Sequence, residues 1–500
     1  MSRTVIIGGG ISGLATAFYL NEYSRGAMEC VVLESSNRWG GKIASAVESG
    51  FLVEGGPDSF LAQKRATLEL CRSLGLQSHI VPSNTGSGPS TYVWSGGRLK
   101  PMPEGMMLMA PTMFLPMLRS NLISWAGKLR MAMEVLIPAN RSDEDESLGS
   151  FVRRRLGQEV LDKIAGPLMA GIYSADPERL SLRSTFPMFV EMEHTHGSLV
   201  LGMMRRKKPQ SGTAKPQPGT AKPQSGTAKP QPMFVSLKGG VQELTDALVK
   251  QFQPQHMKIS CRVNSVSRQN DKYRLELSDG ATITADHVVF TTPAFVTADI
   301  LDELDPELSA KLRGIRYVST ATVSLGFKRS EIKRPLNGFG FIVPATEGRR
   351  INACSWSSSK FDNRAPDDSV LMRVFIGGAL GEQFAEQDEQ LLIELAREEL
   401  RIILGTTAEP VLAKAYRWRK ASPQYEVGHH ARVQEIEALV ATHPGIYLSG
   451  SGFHGAGIPD CVLRGMDTAL KIVKAEARAN CNCNDTATTE PAEEIPNVIA

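Results

Sequence analysis

The sequence predicts an α/β protein with a doubly wound, Rossmann-like parallel sheet, a separate mixed sheet and a helical lobe. Three observations lead to this fold class. A β-α-β unit opens the chain, helical periodicity dominates residues 60–200, and strand-like apolar runs dominate residues 315–380. Parallel sheets are built from β-α-β units, and strands buried on both faces read as continuous apolar runs.

The opening unit consists of TVIIGG at 4–9, a helical pattern from Ile11 to Tyr23 and a second strand, CVVLE, at 30–34. Its turn, Gly8-Gly9-Gly10-Ile11-Ser12-Gly13, has the glycine spacing of a phosphate-binding loop. Glycine there permits the tight turn, the approach of backbone to a pyrophosphate and close packing of helix on strand. Glu34 ends the next strand, where a carboxylate can accept ribose hydroxyls. The alternative is a tight turn without a ligand.

A second loop follows Glu34 and Ser35. Its residues Arg38-Trp39-Gly40-Gly41-Lys42 add cationic side chains and another glycine pair beside the predicted pyrophosphate site. Charge-assisted donors at close range favour such an anion. Simple NAD dehydrogenases do not need this loop, so the pattern favours FAD, although an exposed turn is the alternative.

Between the two ends of the chain, three parts are distinguishable. The first is the helical lobe, where Ser147 offers a helix start. The second is residues 205–232, whose repeats of SGTAKPQ type predict a disordered insertion, read either as a loop expansion or as a basic tether. In the third part, the residue pattern predicts a helix over 238–252 and a strand over 258–266. It also predicts a hairpin turn at Asp279-Gly280.

The closing part predicts a helix over Asp388–Leu404, a strand at 446–450, a glycine-rich turn and a helix from about Asp460 to Ala477. The tail, 480–500, lacks periodicity and is predicted to be disordered. The glycines of the turn at 450–459, which feeds that last helix, are by themselves typical of a strand-to-helix turn.

Composition excludes several classes. Lys+Arg total 56 against Asp+Glu 53, which gives no support for a nucleic-acid partner. Seven cysteines without a framework indicate a reduced compartment, and we expect a cytoplasmic protein. Cys481 and Cys483 have no second pair, so we expect no metal site. No apolar run is long enough for a transmembrane segment, while contact with a membrane surface stays open.

Longer phrases resemble the FAD-dependent porphyrinogen oxidases of haem synthesis, within the amine-oxidase superfamily, and most closely their soluble Gram-positive type. The resemblance runs from residue 3 to about 475, excluding 205–232. It rests on the two glycine loops and on these phrases: EGGPDSF (54–60), PMPEG (101–105), 147–187, GSLVLGM (197–203), GFGFIVP (338–344), SPQYEVGHH (422–430) and GFHGAGIPDC (452–461).

The resemblance implies the residues of an FAD site. Those expected to hold FAD are Gly8, Gly9, Gly10, Ile11, Ser12, Gly13, Glu34, Ser35, Arg38, Gly41, Lys42, Gly56, Pro57, Asp58, Ser59, Val263, Trp418, Ala456, Gly457 and Ile458. Within this set, Gly56–Ser59 would lie along the flavin, Val263 would contact adenine through its backbone, and Trp418 and Ala456–Ile458 would sit at the isoalloxazine.

Substrate contacts are expected at Lys64, Arg98 and Ile172, because a flat tetrapyrrole edged with propionates needs an aliphatic slot and cations at its rim. The alternative for each cation is a solvated surface group. His429 and His430 are not assigned a role. The seven expected segments are 1–60, 233–300 and 416–479 for FAD, 61–204 for the helical lobe and part of the substrate domain, 301–415 for the substrate sheet, 205–232 for the insertion and 480–500 for the tail.

The implied reaction is the six-electron oxidation of coproporphyrinogen III by FAD and dioxygen, with release of hydrogen peroxide. Flavin chemistry carries the reaction, so no catalytic side chain is predicted. Protoporphyrinogen IX is the alternative substrate. An amine oxidase and a non-catalytic FAD-binding module are the rival functions, and hand-over of product to a ferrochelatase is an expected partnership.

Overall fold

The structure is a computed structural model that describes residues 1–84, 91–107, 110–111, 114–206 and 232–484. The repeats of the predicted insertion lie outside the described residues, as do residues 485–500 of the predicted tail. Arg205 and Arg206, which the prediction placed in the insertion, instead end a helix.

Strands form six sheets in the described residues. Their bounds in chain order are β1 Arg3–Ile7, β2 Glu29–Leu33, β3 Ser45–Glu48, β4 Phe51–Glu54, β5 Phe60–Leu61, β6 Ile80–Pro82, β7 Tyr92–Trp94, β8 Leu99–Pro101, β9 Met106–Met107, β10 Ala110–Pro111, β11 Phe234–Leu237, β12 Met257–Lys258, β13 Val263–Gln269, β14 Lys272–Leu277, β15 Thr282–Ala285, β16 His287–Phe290, β17 Tyr317–Lys328, β18 Gly340–Ile342, β19 Ala353–Trp356, β20 Ser369–Gly377, β21 Leu412–Pro423 and β22 Ile446–Leu448.

Helices fill the intervals between these strands. Their bounds are α1 Ile11–Ser24, α2 Arg65–Ser73, α3 Phe114–Arg119, α4 Trp125–Ala132, α5 Leu148–Arg155, α6 Gln158–Val160, α7 Gly166–Tyr173, α8 Leu182–Thr185, α9 Pro187–His196, α10 Leu199–Arg206, α11 Gln242–Val249, α12 Ala294–Leu301, α13 Pro306–Arg313, α14 Ser357–Lys360, α15 Glu382–Ala385, α16 Glu389–Leu404, α17 His429–Ala441 and α18 Ile458–Asn484. Short 3₁₀ turns cover Gln77–His79, Met133–Leu136, Pro254–His256, Arg329–Glu331 and Ala345–Glu347, and a π turn covers Leu161–Ala165.

A five-stranded parallel sheet, in the order β12-β2-β1-β16-β22, contains the opening unit at its centre. Its three central strands, β2, β1 and β16, are largely buried, as the sequence predicts for a sheet covered on both faces, whereas the edge strands β12 and β22 are partly exposed. Helix α1 follows β1 and α18 follows β22, so both helices begin at the carboxyl edge of this sheet. They also pack together, because a β-carbon at Gly465 of α18 would lie 2.9 Å from the backbone nitrogen of Thr16 in α1. Ligands of open parallel sheets bind at this edge.

The second sheet is the predicted mixed sheet, in the order β21-β17-β20-β19-β18-β7-β8. Its pairs are antiparallel except β18 with β7. Helix α16 packs on it around a core that includes Phe341, Trp356 and Leu395. Asp388 caps α16 by accepting the backbone N–H of Leu391 at 3.0 Å. This sheet continues to Pro423, beyond residue 415.

The helical lobe spans α3 to α10 and has its own core around Phe151, Ile164 and Phe189. Ser147 starts α5 by accepting the backbone N–H of Ser150 at 3.1 Å, so the predicted cap is confirmed. The lobe is not helical from residue 60, however, because the β7–β8 hairpin belongs to the mixed sheet. Among the described residues, no helix is both long and apolar enough to cross a membrane.

Three predicted elements begin or end in the structure at residues that differ from those predicted. The strand expected over 258–266 is two strands, β12 and β13, because Ser260 adopts φ 53° and breaks the extended run. The helix expected over 238–252 covers only α11, since Gly240 at φ 97° precedes it. Helix α18 continues past Ala477 to Asn484, because no glycine or proline interrupts that segment.

Candidate active site

The turn between β1 and α1 brings two parts of the backbone into close contact. Gly8 has φ 113°, and a β-carbon at Gly13 would lie 2.0 Å from the Gly8 carbonyl oxygen. Only glycine tolerates these two positions. Helix α1 begins at Ile11, so the free N–H groups of its first turn lie at the carboxyl edge of the sheet. This geometry fits a phosphate group held by the residues Gly8–Gly13.

Glu34 fixes this turn from the end of β2. Its Oε2 accepts the backbone N–H of Gly9 at 2.7 Å, and its Oε1 accepts that of Ser36 at 2.7 Å. The residues alone indicated ribose hydroxyls as its partners, whereas in the structure Glu34 also orders the backbone. A carboxylate oxygen has a second lone pair, so acceptor capacity for a ribose is left. Ser35 is exposed beside it.

The segment that leads to Val263 runs along the same strand end. The backbone N–H of Glu34 donates to the Lys258 carbonyl at 2.8 Å. The Glu34 carbonyl accepts the backbone N–H of Cys261 at 2.8 Å. Val263 then begins β13 and is buried. The structure therefore brings the glycine turn, Glu34 and the segment before Val263 together, in the order expected from phosphate to adenine.

The second loop folds onto the first. Gly40 donates its N–H to the Gly9 carbonyl at 2.9 Å. The Arg38 guanidinium donates to carbonyls of its own loop, Ile43 at 2.9 Å and Gly41. Arg38 thus orders the loop, a role that the sequence prediction of a direct phosphate contact did not include.

Lys42 reaches across to the closing part of the chain. Its ammonium donates to the Ala421 carbonyl at 2.8 Å and to Ser451 Oγ at 3.0 Å. Desolvation in this cleft lowers the pKa of Lys42, although its side chain still borders open space. The ammonium is therefore placed between the opening and closing turns.

The loop Gly55–Ser59 is held by donors from the mixed sheet. The carbonyl oxygen of Gly55 accepts three of them. These are Trp418 Nε1 at 2.8 Å, Thr322 Oγ1 at 3.0 Å and Arg373 Nη2 at 3.2 Å. Arg373 also donates to the Gly56 carbonyl. A β-carbon at Gly56 would lie 1.7 Å from the Lys42 carbonyl oxygen, so the two loops interlock.

Asp58 of this loop forms a largely buried ion pair with Lys360 at 3.0 Å, and Lys360 also reaches Ser59 Oγ at 3.1 Å. Burial alone would raise the pKa of Asp58, but Lys360 and Arg373 outweigh it and hold that pKa well below its usual range. The carboxylate is therefore charged at neutral pH, and Asp58 fixes the loop.

The closing turn precedes α18. Gly455, at φ 117°, donates its N–H to the hydroxyl of Tyr425 at 2.9 Å, and that hydroxyl donates to the Ser451 carbonyl at 2.6 Å. Ala456 and Gly457 are exposed to the cleft, and Ile458 is buried as the first residue of α18. The N-terminus of α18 and that of α1 both lie at the carboxyl edge of the parallel sheet, where a β-carbon at Gly450 would lie 3.8 Å from Ser12 Oγ.

His429 supports Tyr425 from behind. The two rings stack with centroids 4.3 Å apart, and His429 Nε2 lies 3.2 Å from the Phe453 carbonyl oxygen. Since a carbonyl only accepts, Nε2 carries the proton of the neutral ring. Burial lowers the pKa of His429 to about 4. His430 is exposed.

Of the three expected substrate residues, Lys64 lies against Asp460, and Ile172 is next in sequence to Tyr173, which also feels the charge of Asp460. Lys64 donates to the Asp460 carboxylate at 2.5 Å, in the first turn of α18. Ile172 is 55% exposed and precedes Tyr173, whose pKa is raised to about 12 by burial and then by the charge of Asp460.

Arg98 is not brought to this group. It is exposed at the tip of the β7–β8 hairpin. Strand β8 forms the opposite edge of the mixed sheet from β21, which carries Trp418. The placement of Arg98 therefore gives its predicted substrate contact no support.

The comparisons with known proteins agree with this geometry. A family model described as flavin containing amine oxidoreductase matches residues 11–473. This chain belongs to that family. The coproporphyrinogen III oxidase of Bacillus subtilis (strain 168) is 37% identical over 93% of this chain and 96% of its own length.

Two further similarities extend over most of the chain. The mitochondrial protoporphyrinogen oxidase of Nicotiana tabacum is 27% identical over 96% of this chain and 97% of its own length. A crystal structure of a protein described as a candidate protoporphyrinogen oxidase, from Exiguobacterium sp. 255-15, superposes with a TM-score of 0.81 at 30% identity. The superposition covers 94% of this chain and 98% of the Exiguobacterium chain.

Family membership confirms the predicted FAD cofactor and an oxidoreductase activity. The residues fit such a group on independent grounds, since no side chain caps the N-terminus of α1 and Arg373 Nε is buried without a partner among the described residues. Sequence reasoning missed Thr322, Lys360 and Arg373. One signal for Arg373 was available, because it is the single charged residue in the apolar strand run LMRVFIGG.

Proposed function

We propose that this chain oxidises coproporphyrinogen III to coproporphyrin III in haem b biosynthesis, with FAD as cofactor and dioxygen as electron acceptor. The observation that carries the proposal is the 37% identity to the Bacillus subtilis coproporphyrinogen III oxidase over 93% of the chain. Identity to the tobacco protoporphyrinogen oxidase is 27%. Oxidation of protoporphyrinogen IX is therefore the second candidate.

The reaction removes six hydrogen atoms from the macrocycle in three two-electron rounds, and each round reduces one dioxygen to hydrogen peroxide. When bound, FAD supplies the two-electron acceptor for each round. The chain's own residues bind the macrocycle, orient it and exclude water. Aromatisation of the product favours the reaction, so the proposal needs no dedicated side-chain base.

We assign the ADP half of FAD to Gly8–Gly13, Glu34, Ser35 and Lys42, and its adenine to the backbone at Val263. The assignment is supported by the contacts of the Glu34 carboxylate with the glycine turn, at 2.7 Å from Gly9 N. Arg38 and Gly41 order the second loop beside it.

We assign the isoalloxazine to Gly56–Ser59, Trp418 and Ala456–Ile458. The support is the hydrogen bond from Trp418 to the Gly55 carbonyl at 2.8 Å, together with the start of α18 at Ile458. A helix N-terminus favours negative charge nearby. We divide the chain accordingly into an FAD domain of discontinuous segments, a substrate sheet and a helical lobe.

The macrocycle is assigned to the space beside Lys64 and Ile172. Ile172 offers exposed aliphatic surface on α7, and Lys64 offers a cation for a propionate. Coproporphyrinogen carries four propionates and protoporphyrinogen two. We therefore expect Lys64 to favour the former.

Steady-state rates on the two porphyrinogens, followed by porphyrin fluorescence, test the substrate. We expect a higher kcat/KM for coproporphyrinogen III, and a clear preference for protoporphyrinogen IX would overturn the assignment. Lys64→Met should raise KM for coproporphyrinogen by about tenfold, the effect of losing one charge-assisted contact. Arg98→Met is the matched control, and an equal effect there would contradict the special position of Lys64.

Anaerobic mixing separates the rival functions. A porphyrinogen should bleach the flavin absorbance of the oxidised protein, whereas a non-catalytic FAD module would stay coloured. Peroxide release on a panel of primary amines tests the amine oxidase alternative, and we expect none. We propose further that the enzyme acts in the cytoplasm and transfers its product to a ferrochelatase.

A further inference from the structure

A group of buried cations lies behind the loop Gly55–Ser59. Arg364 is 2% exposed and Arg373 is 3% exposed. Lys360 is the third member, with a side chain that is 11% exposed. Burying a charge is costly unless it is paired, so a concentration of cations here requires an explanation.

Among the described residues, only one of these three cations has an ion-pair partner. Asp58 pairs with Lys360 at 3.0 Å. In the part of the chain that the structure describes, no carboxylate lies within 4.0 Å of Arg364 or Arg373. From beyond that distance, the charges of Asp58 and Glu54 act on Arg373, and those of Glu54, Asp58, Glu243 and Asp362 act on Arg364. Arg373 therefore carries a buried charge without an ion-pair partner among the residues described.

Arg373 is the member aimed at the loop. It extends from β20 and donates to the carbonyls of Gly55, at 3.2 Å, and Gly56. Its guanidinium carbon lies 4.9 Å from the Phe375 ring centroid. Its Nε is buried and has no partner among the described residues. Arg364 instead donates to Ser236 Oγ at 2.8 Å and the Leu237 carbonyl at 3.0 Å, one layer further from the loop.

We infer that Arg373 is a positioning residue for the flavin loop and that its buried charge, which has no ion-pair partner in the described chain, stabilises the anionic, reduced form of the cofactor over the oxidised form. The inference rests on the proposed placement of Gly56–Ser59 along the flavin. A buried charge acts in a medium of low effective dielectric, so it is felt across a peptide layer. Charge near the ring system is one of the means by which a protein tunes a flavin.

The test is the two-electron reduction potential of the FAD-loaded protein, measured by equilibration with a reference dye. Arg373→Met should weaken binding of reduced relative to oxidised flavin by about tenfold, which lowers the potential by about 30 mV. Arg373→Lys keeps the charge and should change that ratio by less than about twofold, near the precision of the assay. Arg373→Gln serves as the neutral variant if Arg373→Met cannot be loaded.

Thr322→Val is the matched control for loop position. It removes a donor to the same Gly55 carbonyl without changing charge, so it should weaken FAD binding several-fold and leave the potential unchanged. A neutral Arg373 variant with the wild-type reduction potential would overturn this inference but not the proposed function. A fall in the reduction potential of Thr322→Val equal to that of Arg373→Met would do the same. A wild-type chain that takes up no FAD would overturn the proposed function as well.

Discussion

Acidification should loosen the closing turn through His429. Burial is the main cause that lowers the pKa of this ring to about 4, with smaller contributions from the charges of Arg432, His454 and His430. The unfolded chain would bind the proton with a pKa near 6.5. Above pH 6.5 both states are neutral and the stabilisation is fully present, whereas between pH 6.5 and 4 only the unfolded state is protonated, so stability falls as the pH falls.

The magnitude follows from the difference of about 2.5 pKa units, which corresponds to about 3 kcal/mol lost between pH 6.5 and 4. His429 is 1% exposed, so solvent screens little of this effect. Its ring stacks on Tyr425, which holds Ser451 and Gly455 by hydrogen bonds. Flavin release should therefore accompany the loss of stability.

The assay is a urea titration of the FAD-loaded protein at pH values from 4.5 to 8, with flavin fluorescence as the probe of the closing turn. His429→Gln keeps an amide donor for the Phe453 carbonyl and cannot titrate. It should lower the midpoint at pH 8 and flatten the decline below pH 6.5. His430→Gln, in the adjacent exposed position, should follow the wild type. If the urea midpoint fell with pH equally in the wild type and in His429→Gln, the reasoning would be refuted.

Three substitutions test the cofactor site through the dissociation constant of FAD, measured by fluorescence titration. Gly13→Ala should raise it at least about tenfold, because the added carbon would lie 2.0 Å from a backbone oxygen. Glu34→Gln should raise it about thirtyfold, since it turns a charged acceptor towards Gly9 N into a weaker neutral one. Tyr425→Phe should raise it about tenfold, because it leaves the Gly455 N–H without its partner at 2.9 Å.

Each of these substitutions has a control of the same chemistry. Gly171→Ala adds a carbon where no atom lies within 4 Å, Glu29→Gln changes the other end of β2, and Tyr273→Phe removes a single hydrogen bond to Pro444. All three should bind FAD like the wild type. An effect in a control as large as in its partner would show that the loss is general and not specific to the site.

The sequence alone was sufficient to predict those features in which a residue interacts with its neighbours along the chain. The glycine turn is of this kind, because Gly8 and Gly13 meet within one turn and Glu34 follows at a fixed spacing. Ser147 and Asp388 are also of this kind, since a cap acts within three residues. Such local chemistry leaves a signal in a single sequence.

Contacts between distant segments left no such signal. In the sequence Lys64 and Arg98 look alike as loop cations, but strand order separates Arg98 from β21. Lys360 and Asp58 are 302 positions apart, and their pairing depends on how the two sheets are placed. The apolar periodicity also predicted too long a helix at α11, because the glycine before this helix, and not its apolar pattern, sets where it begins.

The contacts of Gly55 argue that the cofactor and substrate parts of this fold are one unit. Its carbonyl is held by side chains from β17, β20 and β21, which are neighbouring strands of the mixed sheet. The loop between Gly55 and Ser59 therefore takes its position from the sheet assigned to the substrate, and not from the parallel sheet that carries Gly8. Any change that shifts these strands shifts the loop with them, because three donors converge on one oxygen. A macrocycle that displaced β17, β20 or β21 would therefore move the flavin loop, and the reduction potential of the enzyme would then depend on whether substrate is bound.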